Sequence, residues 1–454
     1  MIINNLKQFS SIVFIFSSTV SMIYGHSITS KHFNRLIDSR DKGVTNVTST
    51  NEENVYDNQN YSRNLATVRL HKKGWEQGDP VLLLNSAEQL EIRFDVFESQ
   101  LTNYQYRIYH CNRNWEKSNL SEMEYLNGFN DNYIEFHSYS FNTMQPYIHY
   151  AQIFPNEQIS LTKSGNYILI VYPEGNVDEP ILTRRFYVTE ETAKVKATIR
   201  YPANVEDRYY KHEVDFDIFI NPSDVFNPYD NIKVDLEQNH RADNGVYDLV
   251  PNFVKDNQMI YNYEDKNVFE AGNEFRHLDL TTTRSRTAQI FKYETVDDTL
   301  HGYVLKDINR QFLKYVQYGD INGRYVIRDI DGTDFHLQSQ YILAHLVLPY
   351  PEPLSAGNLY VFGELSDWSF KPEYKMKYDY NLRAYRADIF LKQGFYNYNY
   401  IYVPDTRKPG LMDKVEGTHF DTENEYIFKV YYSDPQQAYD RLLGYHIANS
   451  RDNF

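Results

Sequence analysis

Residues Asn103–Tyr150 read NYQYRIYHCNRNWEKSNLSEMEYLNGFNDNYIEFHSYSFNTMQPYIHY. The run opens on alternation: Tyr104, Tyr106, Ile108 and His110 face one way, and Gln105, Arg107, Tyr109 and Cys111 the other. A period of two is the mark of a half-buried strand. Ser121 followed by Glu124 is a capping box, which predicts one short helix that stops near Gly128. A second strand is expected to start near Ile134 or Tyr147. So long an irregular connection inside a β domain usually carries function or marks a family. It holds no recognisable catalytic group.

The same alternation recurs on both sides of this stretch. QLEIRFDV (Gln89–Val96) and VDFDIFI (Val214–Ile220) alternate, as do VKATIRY (Val195–Tyr201) and IKVDL (Ile232–Leu236). YILIVY (Tyr167–Tyr172) is a continuous apolar run, as expected of a strand buried on both faces. Asn322-Gly323 and Asp331-Gly332 read as hairpin turns, and PYPEP (Pro349–Pro353) as a rigid turn. Asp434, Pro435 and Gly444 read as N-cap, first-turn proline and C-cap of a terminal helix over Gln436–Leu443. The predicted fold is all-β: three tandem β-sandwich, immunoglobulin-like domains with a few short helices. Their predicted bounds are 64–190, 191–335 and 336–433, with a short helix and tail over 434–454.

Ahead of them, residues 1–25 read as a signal peptide. Lys7 precedes the apolar stretch Ser11–Tyr24, and Gly25 is a small residue suited to cleavage. Residues 26–63 are polar and read as a disordered leader. Asn46 and Asn60 head sequons that carry no weight in so Asn-rich a chain. No cysteine lies near the N-terminus, so no lipid anchor is expected there.

The net charge is −16, which excludes a phosphate-binding surface of the usual basic kind and with it nucleic acid. With a single cysteine, Cys111, no internal disulfide can form; its place in an alternating strand makes it a small buried hydrophobe rather than a nucleophile. There are 42 Tyr and 27 Phe, residue types that favour strands and interfaces. No Gly-x-Ser-x-Gly, His-Glu-x-x-His, phosphate-loop or paired-cysteine spacing occurs. His110 and His149 lie in strands and read as packed residues. Asp329, Asp331 and Asp334 resemble part of a calcium loop but lack its closing Glu; a hairpin turn explains them better. Tyr396, Tyr398, Tyr400 and Tyr402 form a stripe at period two. Asn397 and Asn399 on the other face look solvent-facing, which puts the tyrosines in a core or domain interface; a partner surface or a sugar platform are the alternatives. No catalytic, cofactor-binding or metal-binding residue is assigned, no cofactor is expected, and no partner-binding residue is named.

A resemblance adds a function. HCNRNW (His110–Trp115), EYLNGF (Glu124–Phe129), SGNYILIVYPEG (Ser164–Gly175), QNHRADN (Gln238–Asn244), AGNEFRHLD (Ala271–Asp279), DINGRY (Asp320–Tyr325), FGELSDW (Phe362–Trp368) and EGTHFDTENEY (Glu416–Tyr426) occur in an order that resembles the type IX secretion system plug proteins of Bacteroidota. The likeness runs from about Asn64 to Gly444, with Ala242 where that family has Trp. It implies a non-catalytic periplasmic plug at the inner side of the outer membrane. Such a plug would be a monomer that takes no small-molecule substrate and occludes a translocon β-barrel not engaged with cargo. The third domain is also similar to immunoglobulin-like starch- and glycogen-binding modules (Gly363, Trp368 and the tyrosine stripe). That implies the alternative, a periplasmic carbohydrate-binding protein. A hydrolase whose carboxylate pair leaves no sequence spacing is a third reading.

Overall fold

Alternating runs make strands wherever one face can be buried, and strands make up 48% of this chain. The computed structural model describes residues 56–406, 409–434 and 436–453. The signal peptide, Asn46 and most of the polar leader lie outside the described residues, as do Arg407, Lys408 and Pro435.

The first sandwich uses β1 (Gln59–Asn60), β2 (Leu65–Lys72), β3 (Val81–Leu83), β4 (Leu90–Val96), β5 (Tyr104–Cys111), β6 (Leu126–Gly128), β7 (Asn132–Tyr133), β8 (Phe136–Tyr139), β9 (Ile148–Phe154), β10 (Ile159–Leu161), β11 (Gly165–Pro173) and β12 (Leu182–Thr189). One sheet runs β2-β4-β9-β8. The other runs β1-β12-β11-β5-β7, with β3 beside β12. Between them lies a core that includes Ile92, Phe94, Tyr106, Ile108, Tyr167 and Leu169. The other side of β11 is buried too: Ile168, Ile170 and Tyr172 pack with Cys111 under Tyr56, Tyr109 and Trp115. The last residues of the supposed leader are therefore ordered. β1 pairs with β12, and the Tyr56 N–H donates to the Trp115 carbonyl at 2.9 Å.

The capping box forms, with the Glu124 carboxylate accepting from the Ser121 N–H at 2.7 Å. Its helix, α1 (Glu122–Tyr125), is a single turn. Gly128 does not end it. That residue lies in β6 at φ +105, where a Cβ would meet the Gln158 carbonyl oxygen at 1.9 Å. The glycine is needed for close strand approach, not for a cap.

The second sandwich begins with β13 (Lys194–Arg200), β14 (Lys211–Phe219), the one-turn α2 (Pro228–Asn231), β15 (Ile232–Gln238), β16 (Arg241–Leu249), β17 (Phe253–Lys255), β18 (Gln258–Tyr261) and β19 (Val268–Glu270). The third uses β20 (Arg276–Asp279), β21 (Ile290–Val296), β22 (Thr299–Val304), β23 (Tyr325–Ile327), β24 (Tyr341–Pro349), β25 (Gly357–Phe362), β26 (Lys377–Asp379), β27 (Ala384–Lys392) and β28 (Gly394–Pro404). The chain then returns through β29 (Glu425–Ser433) and β30 (Asp440–Asn449) to close the second sandwich in a sheet ordered β16-β15-β29-β30. Tyr426, Phe428, Val430 and Leu443 share a core with Val214, Phe216 and Leu236.

This corrects two expectations. The third core gathers residues from Leu278 to Val415, so a boundary at 335/336 cuts through it, and the stretch ending at 433 belongs to two domains. The terminal helix over Gln436–Leu443 is instead a turn over Gln436–Tyr439 followed by the first residues of β30. Gly444 pairs with Val430 beside a register shift, and a Cβ there would lie 2.7 Å from the Ala193 carbonyl oxygen. What read as a C-cap glycine is a point of backbone-to-backbone contact between β30 and the start of β13.

Asn322 (φ 49) and Gly323 (φ 78) form a tight turn, closed by the Arg324 N–H donating to Ile321. It is not a hairpin between paired strands: β23, which follows, pairs with β28. Asp331-Gly332 is likewise a turn without a hairpin. Among the described residues no helix is long and apolar enough to cross a membrane.

Candidate functional site

The tyrosines of β28 are core: Tyr396, Tyr398, Tyr400 and Tyr402 all lie in the third hydrophobic cluster. The opposite face is not solvent. Asn397 and Asn399 are fully buried (0 % exposed), which corrects the expectation. The segment between β22 and β23 crosses over them. The Ile321 N–H donates to Asn397 Oδ1 at 2.6 Å, and Arg310 Nη2 donates to Asn399 Oδ1 at 3.1 Å. Buried amides persist because these partners satisfy them. Behind them Glu416, 0 % exposed, is clamped by Arg276 at 2.9 Å and by Arg310. Trp368, on which the likeness to carbohydrate-binding modules partly rested, packs among His240, Phe275 and Phe362. No aromatic stripe of β28 is therefore presented to a sugar.

Charges that alternation placed on outer faces of strands also turn out to be buried, at the seams between sandwiches. Asp95 on β4 accepts from His149 Nδ1, Tyr341 OH and Lys392 Nζ, each at 2.6 Å. The ammonium also donates to the His336 carbonyl at 2.8 Å and lies 4.2 Å from the Tyr147 ring centre. Burial alone would raise the pKa of the Asp95 carboxyl; Lys392 and His149 reverse this and hold it below the usual range. Burial lowers the pKa of His149, and that of His336, stacked on it, is pushed down to about 3. The far nitrogen of His149 accepts from Arg93 Nη1 at 3.2 Å. The carboxylate–imidazole pair thus ends on a guanidinium. It joins the first sandwich to the third.

A second junction joins all three sandwiches. Arg324 Nη1 sits 2.8 Å from Glu425 Oε2, and its Nη2 sits 3.3 Å from Asp79 Oδ1. Nη2 also donates to His240 Nε2 at 2.9 Å, and Tyr445 OH donates to Asp79 Oδ2 at 2.8 Å. Burial raises the pKa of Glu425, but His240 and Arg324 outweigh it and bring it to about 2. Between the first and second sandwiches, Tyr431 OH donates to Asn166 Oδ1 at 2.9 Å and Lys429 Nζ pairs with Glu237 at 2.7 Å beside the Tyr187 ring.

The remaining sequence candidates are engaged within the fold. Cys111 is buried, and burial pushes its thiol up to about 12. The His110 ring sits between Tyr167 and Tyr439, with Nε2 3.1 Å from the Ser164 carbonyl. Asp329, Asp331 and Asp334 are spent on turns: the first accepts the Asp331 N–H, the second the Thr282 hydroxyl and Thr283 N–H, and the third the His336 N–H. Among the described residues no group of three His, Cys, Asp or Glu side chains could hold a metal ion. Asn60 lies in β1, and its Oδ1 accepts from Arg184 at 2.7 Å. Ala242 is exposed, so its departure from Trp removes no core aromatic.

Sequence reasoning named no contact residue for a partner. The surface offers exposed Met123, Phe129, Phe136, Tyr139, Phe312 and Tyr380. The first four belong to the irregular connection whose length was its only signal.

The family described as "Type 9 secretion system plug protein 1st domain" matches residues 65–190. A crystal structure of a hypothetical protein from Parabacteroides merdae ATCC 43184 is similar with TM-score 0.83 and 31% identity, covering 86% of this chain and 98% of that one. A DNA-bound alkylpurine DNA glycosylase from Pseudomonas fluorescens aligns at TM-score 0.15 and 10% identity, over 27% of this chain and 30% of that one, which is no shared fold. No curated protein matches the chain. With the first sandwich matched by the family and the fold shared over 86% of the chain with a relative 31% identical, the chain belongs to the type 9 secretion system plug protein family, which ties it to type IX secretion and to the cell envelope.

Proposed function

We propose that the chain is a non-catalytic plug in the periplasm, bound to the inner side of the outer membrane, where it occludes the type IX translocon barrel while no cargo is engaged. The observation that carries this reading is the way the three sandwiches are joined. Buried ion pairs and a chain that leaves the second sandwich and returns to it make one body with little freedom at its seams. A stopper must resist deformation, and flexible tandem domains would leak. The buried charges hold the body together. The test is uptake of a large membrane-impermeant dye. Deleting the chain should admit the dye, and deleting the translocon as well should restore the barrier. Unchanged uptake in the single deletion, with the translocon present, would refute the plug.

A further inference from the structure

Strand β8 is an outer strand of the first sandwich, and apart from being only four residues long it lacks the usual defences of a sheet edge. Natural edges are blunted by lysine, proline, bulges or covering segments, because an open row of backbone groups invites another strand. The opposite outer strand, β2, is protected in this way: its pairing with β4 shifts register between Ala66 and Arg69, with Thr67 at φ 49. β8 reads FHSY and pairs with β9 in unbroken register from Phe136↔Ala151 to Tyr139↔Ile148. The Ser140 N–H donates inward to Tyr147 at 2.8 Å, while the Phe141 N–H points the other way and donates to Leu337 of the third sandwich at 3.0 Å. By alternation, the N–H and C=O groups of His137 and Tyr139 point outward on the same side as Phe141. β8 pairs with β9 alone among the described residues.

The side chains around this edge suit a guest strand. Phe136 is 50 % exposed and Tyr139 54 %, one on each face of the sheet. An added strand would lay alternate side chains against each of them. The local charge has one sign. From Asn119 to Pro146 the chain has no lysine or arginine but has Glu122, Glu124, Asp131 and Glu135. Asp131 is paired with Arg107, whereas Glu135 is exposed next to the edge.

We propose that β8 is a docking edge for an extended, lysine- or arginine-bearing segment of a partner protein, which adds to the sheet as an antiparallel or parallel fifth strand. This goes beyond the plug reading and stands without it, since it can be tested on the isolated protein.

The probe is a fluorescent peptide of alternating lysine and valine, titrated into the full mature chain and read by anisotropy. Binding is expected, and it should weaken with salt because the acidic rim contributes. Tyr139→Pro should abolish it: the substitution removes an outward N–H and leaves the bonds to β9 in place, so the unfolding midpoint should barely move. Should that variant not fold, Glu135→Lys with Phe136→Lys provides the independent check, with binding expected to fall by about tenfold or more, the equivalent of losing one good contact. No binding, or equal binding by a glutamate–valine peptide or by a proline-interrupted one, would overturn the proposal. So would a dimer of the chain, seen by light scattering without peptide and abolished by Tyr139→Pro, because a second copy would then own the edge. Neither result would bear on dye uptake, so failure here is separable from failure of the plug reading.

Discussion

At the scale of single residues, the deciding fact is that a few charges sit buried in the seams. Lys392 and Asp95 are each 1 % exposed at the side chain, so neither can fall back on water when the other is removed. Lys392→Met should therefore cost about 3–5 kcal/mol of stability in urea unfolding, and Asp95→Asn added to it should recover part of that loss. If Lys392→Met costs no more than an ordinary surface change, the seam is not held by this pair. Glu274 offers a pH test. Burial, ahead of all other causes, raises its pKa to about 7, and burial raises Asp320 nearby to about 6. A carboxyl with a folded pKa above its unfolded one binds its proton more tightly in the folded state. Its contribution is full below the unfolded value and is lost as pH rises through the folded one. Stability should thus fall between about pH 4.5 and 7, and Glu274→Gln should flatten that slope in urea midpoints measured across the range. A Gln variant with an unchanged slope would show that Glu274 is not the titrating group.

At the scale of elements, β30 replaces the predicted helix because its residues have a strand to pair with. Tyr426 to Tyr432 on β29 are buried without a break, and β30 covers the open side of that strand from Asn449 to Asp440. Ending the chain after Ser433 would bare β29 and uncap the core shared by Val214, Phe216 and Phe428. Hydrogen exchange should then show lost protection in β14 and β15, while β5 and β11 of the first sandwich keep theirs. Protection retained in β14 and β15 would mean that β30 is dispensable. A gentler version is Gly444→Val, which drives a side chain into the Ala193 carbonyl and should destabilise by about 1–3 kcal/mol.

At the scale of the whole molecule, three cores joined by buried ion pairs should unfold together. Arg324 reaches Asp79 of the first sandwich and Glu425 of the second from a turn of the third. Arg324→Ala leaves two acids facing each other in the seam. Calorimetry should show one main transition for the parent chain and a broadened or split one for the variant. Separate transitions already present in the parent would argue against a single body, and so against the stopper reading, which needs one.

Local alternation was enough to determine the fold class and many strands. Tyr104–Cys111 lies in the sequence as it lies in the sheet, with Tyr104, Tyr106, Ile108 and His110 inward, and the Ser121–Glu124 capping box forms as spaced. The tyrosines of β28 do lie in a core, but the ground for placing them there, a solvent-facing Asn397 and Asn399, was wrong. A period of two reports one buried face and is silent about the other, and that is where the reading failed. Asn397, Asn399 and Asp95 look solvent-facing in any short window and are buried because distant segments cover and satisfy them. Asp95 and Lys392 are 297 residues apart, so no spacing rule could have joined them. Domain bounds failed likewise: the pairing of Ile232 with Tyr432 joins two strands of the second sandwich that the whole third sandwich separates in sequence. Sequence specified what each strand is made of; the tertiary structure alone decided which strands meet, because pairing and coverage are contacts between remote parts of the chain.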